Sequence, residues 1–234
     1  MPRPLRPVDA GLIYHVIKRG NNRQPVFHKR ADFAAFLAAM AELKERKPFR
    51  LYGYCLLNNH FHLLLQPIET SISRIMQSLL VSHTQRYHKH HRSGGHVWQG
   101  RFKSPVIQSD EHLLNVLRYI EANPLRAKVV RRADDYRWTS FRAHGLGEPD
   151  TLVDRLAAYE ALARQPAARR RKWSQRVHQP LPAATLEAIR RSGATGLPYG
   201  DPAWLARLSR KLHLDLVIRP RGRPRKIAVT RAAE

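Results

Sequence analysis

The segment from Phe49 to Gln66 leaves the chain little choice of local fold. Phe49–Leu56 and Phe61–Gln66 are two apolar runs rich in aromatic residues and leucine, joined by Asn58-Asn59 and closed by Pro67. Asparagine pairs favour tight turns, and proline cannot continue a hydrogen-bonded ladder, so this stretch reads as two consecutive strands of an antiparallel sheet. In the second strand His60 and His62 flank Phe61. Side chains two apart on a strand share a face, so both imidazoles project together while Phe61 faces the other way. Two neutral imidazoles so placed can share one metal ion, with a third ligand supplied from elsewhere. A chain with 13 histidines also places such a pair by chance. On spacing alone, one structural histidine beside an incidental one remains an equal reading.

The flanking sequence builds outward from this pair of strands. Leu12–Lys18 reads as a strand closed by Gly20-Asn21-Asn22. Arg30–Lys47 carries Phe33, Phe36, Leu37, Met40 and Leu43 at helical spacing and is stopped by Pro48. Ser71–Tyr87 predicts a second helix with Ile72, Ile75, Met76, Leu79 and Leu80 as its buried stripe. The stretch from His88 to His96 reads as a loop, and its histidines as solvated rather than metal-ligating. A fourth strand is expected over Phe102–Ile107. A third helix, capped by Ser109 or Asp110, runs to Asn123, where Pro124 ends it. The order strand, helix, strand, strand, helix, strand, helix predicts an α+β fold: a ferredoxin-like split βαβ antiparallel sheet with helices on one face.

Residues 1–145 are expected to form this domain and 146–218 a helical C-terminal extension, with helical pieces at Leu152–Leu162, Ala183–Arg191 and Pro202–Leu212. Residues 219–234, opening on Arg-Pro-Arg-Gly-Arg-Pro-Arg-Lys, form a basic tail too polar to pack a core.

Lys and Arg total 42 against 18 Asp and Glu, a formal net charge of +24. A field of that sign concentrates polyanions, and nucleic acid is the leading partner. No apolar run spans a bilayer and no secretory signal opens the chain, so a cytoplasmic, nucleoid-associated protein with no membrane partner is expected. The single cysteine, Cys55, excludes an internal disulfide and a cysteine-rich zinc site.

Tyr119 and Asn123 lie four apart at the edge of the third helix's apolar stripe, neighbours on one surface. From there the Asn123 amide can complete a metal site with His60 and His62, and the Tyr119 hydroxyl stands beside it. Read as scaffold, Tyr119 is a boundary residue and Asn123 a helix cap before Pro124.

Four segments together resemble the single-tyrosine HUH transposases, and within them the REP-associated tyrosine transposases. They are Arg19–Phe27 (RGNNRQPVF), Tyr54–Leu65 (YCLLNNHFHLLL), Val97–Ser104 (VWQGRFKS) and Tyr119–Ala127 (YIEANPLRA). Their order and spacing agree over roughly residues 10–145, with a looser match from Gly196 to Lys226. The resemblance implies a ferredoxin-like catalytic domain that cleaves single-stranded DNA beside hairpins formed by palindromic repeats. It implies His60, His62 and Asn123 as ligands of a divalent metal, Mg²⁺ or Mn²⁺, and Tyr119 as the nucleophile that forms a 5′-phosphotyrosine. His112 is a speculative base for the phenol. The monomer or homodimer state stays open, and a non-catalytic DNA-binding protein derived from a transposase is the alternative.

Outside that site, Lys18, Arg19, Asn21, Asn22 and Arg23, with Gln99, Arg101 and Lys103, combine charge with amides able to read bases. They are expected to hold single-stranded DNA, with Trp98 or Phe102 as a stacking surface or as core. Arg221, Arg223 and Arg225 are expected to grip DNA from the tail, whose Arg-Gly-Arg-Pro resembles an AT-hook core.

Overall fold

The computed structural model describes residues 11–213. Four strands, β1 (Ile13–Arg19), β2 (Phe49–Leu57), β3 (His60–Pro67) and β4 (Val106–Ile107), form one sheet in the order β2-β3-β1-β4. Every pairing between neighbours is antiparallel. β1 and β2 are linked through helix α1 (Arg30–Arg46), with β3 inserted between them, which is the expected split βαβ arrangement.

Strand alternation divides the sheet's side chains between two cores. Tyr14 and Val16 of β1, and Phe61, Leu63 and Leu65 of β3, meet α1 and α2 (Ile72–His91) on the first face. Phe33, Phe36, Met40 and Leu43 recur at helical spacing on α1, and Ile72, Ile75, Met76 and Leu79 on α2. Phe27 stacks on Phe33 at 4.8 Å between ring centroids, and Phe36 meets Phe61 at 4.9 Å. Each such side chain, fully buried, contributes about 1.5–3 kcal/mol.

The opposite face is covered as well, which corrects the expectation of helices on one face. Cys55, Leu57 and Leu64 lie beneath α3 (Glu111–Glu121), with Leu113, Leu114, Val116, Leu117 and Ile120 buried against them. A β-bulge between Leu51 and Gly53 lets β2 serve both cores, with Leu51, Tyr54 and Leu56 on the first and Tyr52 and Cys55 on the second. Gly53 is needed for the close approach of α3, because a Cβ there would stand 2.3 Å from Leu117 Cδ1.

The extension joins this second core. After the short α4 (Asn123–Arg126) and α5 (Ala157–Glu160), helix α6 (Pro166–His178) buries Trp173 and Val177, and α7 (Ala183–Thr195) buries Ile189. The Glu121 carboxylate, fully buried, accepts hydrogen bonds from Ser140 Oγ and Trp173 Nε1 and contacts His144 Nδ1, each at 2.6 Å. A buried carboxylate is tolerated only when its oxygens are satisfied, so this cluster ties α3, the 140–144 turn and α6 into one unit. Helix α8 (Pro202–Leu212) begins at Asp201, whose side chain caps it, and adds Leu208 to the first core.

Several boundaries differ from expectation. α2 continues to His91, so His88, His90 and His91 are helical. α3 ends at Glu121, and Pro124, at the start of α4, opens a new short helix rather than merely ending the old one. Proline is compatible with a first helical turn, where its missing N–H has no partner to lose. β4 is two residues long, although Lys103 still bridges Ile17. The expected Leu152–Leu162 helix is reduced to α5, and α6 was not expected at all; its Arg-Arg-Arg-Lys run hides a buried stripe of only Trp173 and Val177. Arg221, Arg223 and Arg225, expected to grip DNA, and the whole tail from 219 lie outside the described residues.

Replacing Trp173 with Ala empties the second core and leaves Glu121 without one donor. Unfolding free energy is expected to fall by about 3–5 kcal/mol, measured by urea denaturation. A loss below about 1 kcal/mol would mean that the extension is only loosely attached.

Candidate functional site

The site forms on the second face, where β1, β3 and α3 meet. In the β1–β3 register Arg19 faces His60, Ile17 faces His62, and His15 faces Leu64. His15 and His62 are therefore diagonal neighbours on one face, close enough for long side chains to meet. They share a hydrogen bond, His15 Nε2 to His62 Nδ1, of 2.9 Å, and their rings stack at 5.1 Å. His60 and His62 project from the same face with ring centroids 5.2 Å apart. Tyr119 of α3 meets this group edge-on, at 5.7 Å from the His62 ring and 5.8 Å from His15. Arg126 of α4 closes the other side. Its guanidinium lies 3.9 Å from the centre of the Tyr119 ring, and its Nη2 donates to the Tyr119 carbonyl at 2.5 Å.

Burial sets the protonation of the imidazoles. His15 is lowered to about 3 by desolvation, with Arg126 adding to the effect. His60 is lowered to about 4 by desolvation, then by Arg19 and Arg126. His62 lies well below 6.5 for the same first reason, with its histidine and arginine neighbours adding to it. All three are neutral at pH 7. A neutral ring whose Nδ1 donates keeps a lone pair on Nε2. The His60 Nδ1 is 2.6 Å from Asn59 Oδ1, an acceptor, so its Nε2 is the free nitrogen.

Asn123 is 7% exposed, and its Nδ2 has no hydrogen-bond partner. Among the described residues no hydrogen bond joins this amide to either histidine, and Ala122, with ψ near 3°, separates it from α3. The donors suit a divalent ion all the same: two neutral imidazoles with orienting partners on their Nδ1 atoms, and a buried amide with an atom unsatisfied. Among the described residues, no three His, Cys, Asp or Glu side chains converge as a metal site. A third ligand drawn from the described residues would be a group of another kind, such as this amide. Cys55 pairs across from His62 in the sheet, but burial pushes its thiol up and keeps it protonated.

His112 is not placed to act on Tyr119. It sits seven residues earlier on α3, about 10 Å along the helix, with Nδ1 2.9 Å from Asp110 Oδ1 and its ring against Tyr199. Beside His62, His15 and Arg126 lie against the Tyr119 ring, and sequence reasoning assigned neither of these two. Arg126 does lie within the Tyr119–Ala127 segment quoted for the resemblance. His15 gave no local signal beyond a histidine within an apolar strand.

Most of the candidate DNA-contacting residues gather at one end of the sheet. Gly20 N donates to Asn59 O, Asn21 N to Val97 O, and Gln99 N to Arg19 O, knitting the 20–27 loop to the β2–β3 turn and the 97–99 segment. Gly20 is required there, since a Cβ would meet Gln24 O at 2.2 Å. Arg19, Asn22, Arg23, Gln99, Arg101 and Lys103 are exposed and Asn21 is half-buried. Lys18 differs: it is 4% exposed, and its ammonium donates to the Gln99 and Gly100 carbonyls. Trp98 and Phe102 pack in the first core, with Trp98 Nε1 donating to Thr84 Oγ1, so of the two readings core packing holds.

Residues 9–123 match the family model for IS200-like transposases. That stretch belongs to the IS200-like transposase family. A Haemophilus influenzae protein that is a REP-associated tyrosine transposase by name is 29% identical over 119 residues. The match covers 45% of this chain and 66% of that relative. Among solved structures, a REP-associated tyrosine transposase bound to a REP hairpin superposes with a TM-score of 0.52 at 16% identity. It covers 67% of this chain and 98% of that chain, a likeness of fold. His60, His62 and Tyr119 fall inside the matched stretch, and Arg126 lies three residues beyond its end. Among the described residues, no helix is long and apolar enough to cross a membrane.

The buried neutral imidazoles make stability depend on acid. His83, on the first face, is also lowered to about 4 by burial, against the opposing effect of its contact with the Val26 carbonyl. These groups bind protons more readily unfolded, near 6.5, than folded, so stability is full above 6.5 and is lost as pH falls through 4. The unfolding temperature is expected to drop steadily between pH 6.5 and 4 by calorimetry, and His83→Gln to flatten part of that slope. A temperature constant over the range would contradict the neutral assignment.

Proposed function

We propose that this chain is a metal-dependent single-stranded DNA endonuclease and strand transferase that acts beside hairpins formed by repeat DNA, through a 5′-phosphotyrosine on Tyr119. The observation that carries the reading is the contact of the Tyr119 ring with His62 on one side and Arg126 on the other, inside a family fold of transposases. The hairpin bound by the structural relative supports the substrate class.

His60 and His62, through Nε2, and Asn123, through its amide oxygen, would hold Mg²⁺ or Mn²⁺. Such an ion, when bound, offsets the negative charge of the scissile phosphate during attack. Imidazole ligands favour Mn²⁺, and cellular abundance favours Mg²⁺. The remaining work falls to the chain's own residues. Tyr119 forms an Oη–phosphorus bond as the bond from phosphorus to the 3′-oxygen breaks; the phenol proton is lost and the departing 3′-oxygen gains one. A second 3′-hydroxyl reverses the step and joins strands without a nucleotide cofactor. Arg126, lying over the face of the phenol ring, sets a positive charge beside a ring whose oxygen becomes anionic during attack. His15 orients His62: with His62 Nδ1 donating to His15 Nε2, the His62 Nε2 lone pair is left for the ion. Residues 1–145 hold this chemistry, residues 146–218 back it as a helical extension, and the basic tail from 219 adds DNA affinity. Activity on chromosomal repeats would place the protein at the nucleoid.

Tyr119→Phe is expected to abolish a covalent protein–DNA adduct on a single-stranded hairpin substrate with Mn²⁺, while hairpin binding persists. An adduct surviving in the variant would overturn the nucleophile, and wild-type binding without any adduct would favour a non-catalytic DNA-binding protein. His15→Phe is expected to weaken Mn²⁺ binding about 10–100-fold by calorimetry with metal-free hairpin binding unchanged. Equal Mn²⁺ affinity would remove His15 from the site.

A further inference from the structure

Helix α6 presents two unlike faces. Trp173 and Val177 are buried against the second core. The other side carries Arg170, Arg171, Ser174, Gln175 and His178, whose spacings of three, four and seven residues place them on one helical face. Together with Arg132 they line an open groove of about 660 Å³. Arg132, Arg171, Gln175 and His178 are exposed, and Arg170 and Ser174 half-buried. Asp134 is the acid at this edge, 2.8 Å from Arg132 and 3.4 Å from His178. Among the described residues, Arg170 and Arg171 have no carboxylate partner within ion-pair distance.

We infer that this groove is a second DNA site, which takes the phosphate backbone of duplex DNA: the stem of the hairpin whose single-stranded part reaches Tyr119. The inference rests on the DNA-processing reading above for its substrate and on the groove's own chemistry for its class. Arginine forks and hydroxyl and amide donors are the groups that grip phosphate oxygens without reading sequence. A single-strand site stacks bases on exposed aromatic rings. Neither phenylalanine, tyrosine nor tryptophan lines this groove, and the His178 ring is held edge-on by Phe141 at 5.7 Å. The same helix is pinned to α3 through Trp173 and Glu121, so a stem held here has a fixed relation to the helix carrying Tyr119. Lys172, on the same turn, is turned instead to the Leu162 carbonyl, and Arg132 is paired with Asp134, which leaves Arg170 and Arg171 as the groove arginines without a carboxylate partner among the described residues.

The test compares the full-length protein with Arg170→Ala/Arg171→Ala, using fluorescence anisotropy across a salt series. The probes are a labelled DNA hairpin with a single-stranded extension and the extension alone. The variant is expected to bind the hairpin roughly ten-fold more weakly and to lose up to about two units of salt slope, while its affinity for the extension is unchanged. Arg170→Lys/Arg171→Lys is expected to recover most of the hairpin affinity, and an unchanged unfolding temperature shows that the fold is intact. Undiminished hairpin binding overturns the site. An equal loss on both probes overturns it too, because it assigns the arginines to unspecific attraction. Adduct formation is read separately: wild type that makes no adduct but shows this hairpin-selective loss refutes the cleavage proposal and leaves the stem site standing.

Discussion

The antiparallel pairing of β1 with β3 is the constraint on which the site depends. It sets His15 diagonal to His62 and Arg19 opposite His60, so the histidine pair acquires both a hydrogen-bond partner and an exposed cation from one neighbouring strand. A register slip by one residue would send His15 to the first core and Tyr14 into the site. The alternation is enforced from the other side as well, since Tyr14, Val16, Phe61 and Leu63 are all committed to the packing of α1 and α2. Hydrophobic burial on one face thereby positions chemistry on the other.

The second face has to be closed without filling the site. α3 descends onto β2 at Gly53 and buries Leu117 and Ile120, while Tyr119, between them in sequence, remains half-buried at the edge. The break at Ala122 then turns the chain so that Arg126 returns over the Tyr119 ring. The satisfied carboxylate of Glu121 holds that geometry to the extension, which makes α6 a brace behind the helix as well as the bearer of the basic groove.

Much of this was legible along the chain. Strands 13–19, 49–57 and 60–67 and helices α1 and α8 fall within a residue or two of the sequence reading, because each has a strong period bounded by proline, glycine or asparagine. The fourth strand was legible in place but not in length, since Pro105 limits its ladder, and α6 was not legible, since two buried residues among arginines make a weak stripe. The His-x-His pair and Tyr119 were visible as residues. His15 was not visible as a partner, because strand neighbours are chosen by long-range pairing and leave no local trace.

The sequence by itself determined that two histidines share a strand face, that a tyrosine rides the edge of an amphipathic helix, and that a charge of +24 seeks a polyanion. These are consequences of periodicity and composition, which act within a few residues or over the whole surface. Only the tertiary structure decided that the face with the histidines is the one α3 covers, that His15 and Arg126 complete the contacts around Tyr119, and that Lys18 turns inward to backbone carbonyls. Those outcomes depend on which buried surfaces meet, and that is settled by packing between segments up to a hundred residues or so apart in the chain.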